Sequence, residues 1–160
     1  MSGPEITIRP ATMGVDEGRL ALIGATTFLE SYAETVDGDD VVAHCANQHS
    51  VAKYGALLAG PGAQAWLAEV QPGRAPIGYL LLTQPDLPIS EPGDLEVKRI
   101  YVLQRYQGRR VGVRLLNEAI AAARAAGAHR LLLGVYSINE AAIAFYTKSG
   151  FRRVGTREFS

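Results

Sequence analysis

The sequence predicts an α/β layered domain. Strand-like and helix-like segments alternate along the chain, turn signals fall between them, and 48% apolar against 20% charged residues suits a folded globular chain. Ile6-Thr7-Ile8-Arg9 alternates polar with apolar, as a strand does. Asp16 to Tyr32 carries Leu20, Ile23, Thr27 and Phe28 at helical spacing, with Asp16 placed to cap it. A second, weaker helical region spans Asp39 to Leu58, and Gly60-Pro61-Gly62 breaks it. Ala65 to Val70 and Pro76 to Thr83 read as strands on either side of Gln71-Pro72-Gly73. Gln84 to Gly93 holds three prolines and is a loop, and Asp94 to Leu103 is β-rich. Arg110 to Ala126 is the clearest helix, with Val111, Leu115, Leu116, Ala119, Ile120 and Ala123 on one side and Gly127 at its end. Arg130 to Val135 is a short apolar strand. Ser137, followed three residues later by Glu140, has the capping-box form and opens a helix that stops at Gly150. Arg152 to Phe159 reads as a last strand. The order is β-α-α-β-β-β-α-β-α-β, one domain over residues 1–160.

Composition narrows the setting. No apolar run is long enough to span a bilayer, and Met1 to Pro10 lacks the apolar stretch of a secretory signal. The lone Cys45 cannot form an internal disulfide, so a cytoplasmic, reducing location is expected. The net charge is zero but unevenly spread. Between Leu20 and Ala52 there are carboxylates at Glu30, Glu34, Asp37, Asp39 and Asp40 and no Lys or Arg. From Lys98 to Arg153 the only acids are Glu118 and Glu140. The split suggests two partners of opposite sign. A nucleic acid is not expected, because the cations gather at one loop and the isoelectric point is near 6.8. Neither is a metal: His44, Cys45 and His49 lack zinc-like spacing and read as decoration of the second helical region.

The informative stretch is Ile100-Tyr101-Val102-Leu103-Gln104-Arg105-Tyr106-Gln107-Gly108-Arg109-Arg110-Val111-Gly112. A strand enters a loop with two glycines, and the loop opens a helix. The first turn of a helix has unpaired N–H groups and a partial positive charge, and glycine lets a ligand approach the backbone. With Arg105, Arg109, Arg110 and Arg114 nearby, the loop suits an anion such as a pyrophosphate. It also reads as an ordinary turn with exposed arginines. Neither the Walker loop nor the dinucleotide fingerprint is present.

Gln107-Gly108-Arg109-Arg110-Val111-Gly112 resembles the acetyl-CoA loop of the GNAT N-acetyltransferases, Gln/Arg-x-x-Gly-x-Gly/Ala, with Arg110 in place of the central glycine. Asn139-Glu140-Ala141-Ala142-Ile143-Ala144-Phe145-Tyr146-Thr147-Lys148-Ser149-Gly150-Phe151 is similar to the family's Asn…Ala-x-x-Phe-Tyr-x-x-x-Gly-Phe segment. Thr27 to Tyr32, Leu95 to Val102 and the Asn139 segment look closest to bacterial spermidine/spermine acetyltransferases of the PaiA type. The resemblance implies a mixed, mostly antiparallel central sheet flanked by helices and splayed at the acetyl-CoA site. It implies acetyl transfer from acetyl-CoA, a co-substrate, to a primary amine, with polyamines first.

Roles follow from that resemblance residue by residue. Backbone groups near Ile100, Tyr101 and Val102 would pair with the pantetheine arm and could hold the oxyanion. Gln107, Gly108, Arg109, Arg110, Val111 and Gly112 would hold the pyrophosphate, and Asn139 the cofactor arm. Tyr146 matches the tyrosine that protonates the leaving thiolate, although it also reads as an aromatic core residue. Glu96 aligns with a general-base glutamate and would share a strand face with Lys98, Ile100 and Val102 by period-two alternation; it reads equally as a surface carboxylate. Tyr32, Glu34 and Asp37 would line the acceptor side. The family's sheet closes with one further antiparallel strand, which this sequence does not contain. Either that segment lies outside the sequence, or an exposed edge offers a route to a homodimer. The alternative to an enzyme is a non-catalytic acyl-CoA-binding sensor or partner module.

Overall fold

A computed structural model describes residues 3–135 and 139–155. The elements are β1 (Ile6–Pro10), α1 (Glu17–Tyr32), α2 (Gly38–Gln48), α3 (Val51–Leu58), β2 (Gln64–Val70), β3 (Ala75–Thr83), β4 (Leu95–Val102), α4 (Val111–Ala125), β5 (Leu131–Leu132) and α5 (Glu140–Lys148). A short 3-10 turn, Gln104–Tyr106, joins β4 to the loop before α4. The five strands form one sheet in the order β1-β2-β3-β4-β5. The first four are antiparallel neighbours, and β5 runs parallel to β4. The mixed, mostly antiparallel α/β layering therefore holds.

Each sheet face has its own core. On one face Trp66, Ala68, Leu80, Leu82, Leu95 and Val97 pack against Val111, Leu115, Leu116, Ala119 and Ala123 of α4. These helical positions recur at the spacing of one buried stripe. On the other face Leu67, Tyr79 and Leu81 meet Leu20 and Ile23 of α1 and Tyr54 and Leu58 of α3. Glu69 is 1% exposed and Asp16 2%, and Arg9 ties both. Its Nε donates to Glu69 Oε1 at 2.8 Å, and its Nη2 donates to Asp16 Oδ1 at 2.9 Å. One guanidinium thus fastens β1, β2 and the start of α1.

Several local expectations change. Asp16 occupies the cap position of α1, but its carboxylate makes no cap bond and instead accepts from Arg9 and the Thr12 N–H. The region Asp39 to Leu58 is two helices, because Ser50 Oγ accepts the Lys53 N–H and starts α3 afresh. Of Arg130 to Val135, only Leu131 and Leu132 pair with β4. Asn139, rather than Ser137, caps α5: its Oδ1 accepts the Ala142 N–H at 3.1 Å. Ser137 lies outside the described residues. The last strand does not form over Phe151 to Gly155, and its remainder, 156–159, also lies outside them. Gly150, at φ +101°, ends α5 as expected of glycine there. Among the described residues no helix is long and apolar enough to cross a membrane.

The Arg9 clamp sets an acid limit. Hydrogen bonds from Arg9 are the main cause holding the Asp16 carboxyl down at about 2. A depressed carboxyl contributes stability above its unfolded pKa and loses it as pH falls through the folded value. Unfolding midpoints in urea should therefore fall between about pH 4 and pH 2. Arg9→Met should cost roughly 3 kcal/mol at neutral pH, since it removes the shortest ion pair of each of two buried carboxylates and leaves them only the longer ones to Arg19 and Arg74, and should weaken that acid dependence.

Candidate functional site

The site forms where β4 leaves its neighbour. β5 pairs with β4 only at Leu95 and Glu96, so from Val97 onward the β5-side edge of β4 has no strand partner among the described residues. The Leu103 N–H donates to the Ile77 carbonyl at 2.9 Å. Backbone direction alternates along a strand, so the N–H and C=O of Ile100 and Val102 point to the open side and those of Tyr101 point to β3. The Val102 carbonyl accepts from Gln107 Nε2 at 3.2 Å. The splay is present, and Ile100 and Val102 hold the expected positions. The Tyr101 backbone does not.

A bulge changes the faces of β4. Leu81 stands opposite Arg99 and Leu82 opposite Val97, which leaves Lys98 without a cross-strand partner. Leu95, Val97, Ile100 and Val102 therefore face α4, whereas Glu96, Arg99 and Tyr101 face the α1 side. Glu96 does not share a face with Ile100 and Val102, because simple alternation fails at the extra residue. It is 6% exposed, and its Oε1 accepts the Asp86 N–H at 3.0 Å. Burial is the main cause raising its carboxyl pKa.

Tyr101 brings three phenols together. Its pKa is pushed up to about 12, first by burial and then by Tyr32 and Tyr146, and Tyr32 shares a hydrogen bond with it. Tyr146 is also pushed up to about 12 by burial. Its ring meets Phe145 and Phe151 edge-on, at 5.1 and 6.0 Å between centroids. Tyr32 and Tyr146, 114 residues apart in sequence, thus approach each other at the open end of β4. Glu34 and Asp37 are exposed on the turn between α1 and α2, and Asp37 Oδ2 accepts the Asp39 N–H at the start of α2. Glu30 Oε1 accepts the Gln104 N–H at 3.0 Å, which pins α1 to the end of β4.

Beyond β4 the chain turns into α4. Arg110 is its N-terminal flanking residue at φ +62°, ψ +19°, and makes no side-chain cap. The helix's first backbone bond runs from the Arg114 N–H to the Arg110 carbonyl, so the N–H groups of Val111, Gly112 and Val113 precede the hydrogen-bonded ladder. Gly108, at φ +84°, has open space where a Cβ would sit. A Cβ on Gly112 would lie 3.4 Å from the Phe145 ring, so its smallness lets α5 approach α4. A bulky residue there would press on α5. The arginines divide: Arg105 and Arg109 lie over the Tyr106 ring at 5.9 and 5.7 Å, while Arg114 Nη1 donates to the Ile6 carbonyl. Open N–H groups, a left-handed residue before them and exposed cations form a cradle that fits a phosphate group.

A second cluster escaped the sequence reading. His49, only 8% exposed, places Nδ1 2.8 Å from the Tyr54 hydroxyl, which lies 3.3 Å from that of Tyr79. Burial, with smaller pushes from Arg99 and His44, lowers the His49 pKa to about 4. His44 stacks on Phe28 at 4.0 Å. These histidines belong to an aromatic layer between α1, α2 and α3 and do not decorate a helix surface. For Arg99 the sequence holds no signal, because the bulge that turns it to the α1 side belongs to the β3–β4 pair; for Tyr54 and Tyr79 the signal was a tyrosine at each apolar-face position.

Comparison with known proteins follows the same outline. The family described as "Acetyltransferase (GNAT) family" matches residues 27–151. An uncharacterized N-acetyltransferase of Mycobacterium tuberculosis strain H37Rv is 31% identical over 144 residues, covering 90% of this chain and 88% of that protein. The PaiA N-acetyltransferase of Thermoplasma acidophilum, solved in complex with coenzyme A, superposes with TM-score 0.78 at 20% identity, over 96% of this chain and 93% of that one. The aminoglycoside N-acetyltransferase AAC(6')-Iy in complex with CoA does so with TM-score 0.72 at 14% identity, over 99% and 95%.

The left-handed Arg110 gives a direct check. A non-glycine residue there costs roughly 1–2 kcal/mol, and glycine's extra freedom in the unfolded chain cancels part of any gain. Arg110→Gly should therefore raise unfolding stability by up to about 1 kcal/mol. A loss of stability in urea melts would mean that contacts of the arginine side chain hold the turn.

Proposed function

This chain belongs to the acetyltransferase (GNAT) family, and from that premise we propose how its own residues carry acetyl transfer from acetyl-CoA to a primary amine. The observation that carries the reading is the junction itself. A freed strand edge at Ile100 and Val102 leads into the N–H cradle at Val111 and Gly112, with the Tyr146 ring beside Tyr101. Acetyl-CoA would supply the activated thioester, its pyrophosphate against the cradle and its arm along the strand edge. Asn139 stands at the start of α5, where its Oδ1 is engaged in capping and its amide NH2 is the group left to donate to that arm.

The proton steps assign themselves by environment. A thiolate leaving group is helped by a donor that stays protonated at working pH. Tyr146, held at about 12, does so across the physiological range. The attacking amine must be neutral. Glu96 shares the acceptor-side face, but it lies five residues along β4 from Tyr101, roughly 15 Å at strand spacing. We read it as positioning the loop through the Asp86 N–H, and not as the group that takes the amine's proton directly. The exposed acidic turn at Glu34 and Asp37 favours the approach of a cation, which is the feature here that supports a polyamine. The non-catalytic alternative leaves the half-buried Tyr146 hydroxyl at the junction without a use.

Thiol release from acetyl-CoA with a panel of amines tests the reading as a whole. Calorimetry with CoA alone separates binding from turnover, and absence of both would overturn it. Tyr146→Phe should lower kcat by about 10²–10⁴ with CoA affinity unchanged. The alkaline limb of wild-type kcat should show no loss from this group until pH nears 12. If polyamines are acceptors, Glu34→Gln with Asp37→Asn should raise their KM and make it less sensitive to salt.

A further inference from the structure

The α1 side of β4 holds a guanidinium with no ion-pair partner among the described residues. Arg99 is half-buried and faces the α1 side between Glu96 and Tyr101. Its Nη1 donates to the Gln48 carbonyl at 3.0 Å and to the Tyr54 hydroxyl at 2.9 Å, and lies 3.5 Å from His49 Nδ1. Its Nη2 makes one long contact, 3.4 Å to Gln48 Oε1. Its Nε has no partner among the described residues. Ion pairs among those residues are made by Arg9, Arg19, Arg74, Lys98 and Arg130, and Arg99 is absent from them.

The geometry of those bonds leaves one edge of the fork available. Nε and Nη2 carry the two parallel N–H bonds by which arginine takes a carboxylate side-on. Nη1 is the atom saturated by protein acceptors, and it fixes the guanidinium against Tyr54, whose ring centre lies 5.4 Å from its carbon. The group is thus held in place before any ligand arrives, and among the described residues no carboxylate lies within ion-pair distance of it. His49 is uncharged above about pH 4, and Tyr54 is raised by burial. The end of α2 contributes only the partial charge of the Gln48 carbonyl. Two residues on, about 7 Å along the strand, stands Tyr101, whose hydroxyl is within electrostatic reach of that of Tyr146.

We propose that Arg99 binds an anionic group, a carboxylate, at the far end of the acceptor, with the acetylated amine at the Tyr101–Tyr146 end. The proposal rests on the amine-acceptor reading above. It sets the acceptor's second group apart from the second ammonium of a polyamine, which would face a fixed cation here. The approximate 7 Å spacing favours ω-amino carboxylates, or a carboxylate-bearing residue in a peptide, over free α-amino acids, whose two groups are adjacent.

The test compares matched acceptors on the full chain with acetyl-CoA saturating: diamines of graded length against ω-amino carboxylates of the same length. The carboxylates should be preferred at least tenfold in kcat/KM. Arg99→Gln should erase that preference by lowering kcat/KM for the carboxylates and not for the diamines. Arg99→Lys, which keeps the charge but not the fork, should retain part of it. A diamine preference in the wild type, or an equal fall for both series in Arg99→Gln and Arg99→Lys, would overturn the proposal and leave Arg99 a brace for α2. CoA affinity and melting temperature, measured on the same proteins, distinguish this outcome from failure of the acetyltransferase reading, in which CoA would not bind the wild type, and from misfolding. Were Arg99→Gln to unfold, the wild-type preference and the Lys variant would still decide.

Discussion

The extra residue in β4 is the constraint on which the arrangement of the site depends. Without it, strict alternation would turn Arg99 and Tyr101 toward α4 and bring Ile100 and Val102 to the acceptor side. With Lys98 bulged, the strand satisfies two demands at once. Its first half completes the apolar core with Leu95 and Val97, and its second half keeps Ile100 and Val102 on that core while presenting Arg99 and Tyr101 opposite. A bulge also bends a strand and increases its twist. That deformation fits a strand that parts from β5 after two residues. Sheet pairing lost on that side would leave backbone groups without partners, and such groups are tolerated where water or a ligand reaches them.

The tyrosines carry the polar side of the same interface. Tyr54 and Tyr79 are fully buried, and their hydroxyls find each other, His49 and Arg99, so the layer between sheet and helices is polar yet satisfied. Toward the open end of β4, Tyr79 stacks on Tyr101 at 6.1 Å, and Tyr101 is within electrostatic reach of Tyr32 and Tyr146. Burial is the first cause raising each of these phenols. A row of aromatic rings gives stiff walls with few rotatable bonds, and phenols that stay protonated supply donors without adding charge.

What the sequence made legible follows physical range. The α4 stripe and the alternation of β1 to β3 depend on local periodicity, and each was readable from its own residues. Ser50 shows the limit: a serine that could as well be a mid-helix residue acts as a cap because α3 turns toward the sheet to bury Tyr54 and Leu58. Glu96 and Arg99 were misplaced or missed because a bulge is a property of a strand pair, and nothing in Leu95 to Val102 alone announces it. Asp16 looked like a cap, but its carboxylate is claimed by Arg9, a contact that exists only once β1 and α1 are brought together. Tyr146 and the Arg110 loop were named in another way, from the resemblance of two sequence motifs to a family, which carries residue order along the chain and needs no knowledge of the surroundings.

Arg110 shows why a departure from a glycine pattern need not dismantle an anion site. The turn demands a left-handed residue, and arginine adopts that conformation at a cost of roughly 1–2 kcal/mol. The backbone direction of the Val111 and Gly112 N–H groups depends on that conformation, and not on the identity of the residue adopting it. What changes is charge. A guanidinium within about 4 Å of a phosphate gains on the order of 4 kcal/mol at the effective dielectric of a protein surface, before salt screening and ordering of the side chain reduce it. The conformational cost falls on the folded protein at all times, whereas the electrostatic gain appears only when a phosphate is held. A glycine at this position would favour stability of the free protein, and arginine favours the ligand. On the reading proposed above, part of the binding would shift from backbone approach to charge, and the affinity of such a loop would be more sensitive to ionic strength than that of a glycine loop.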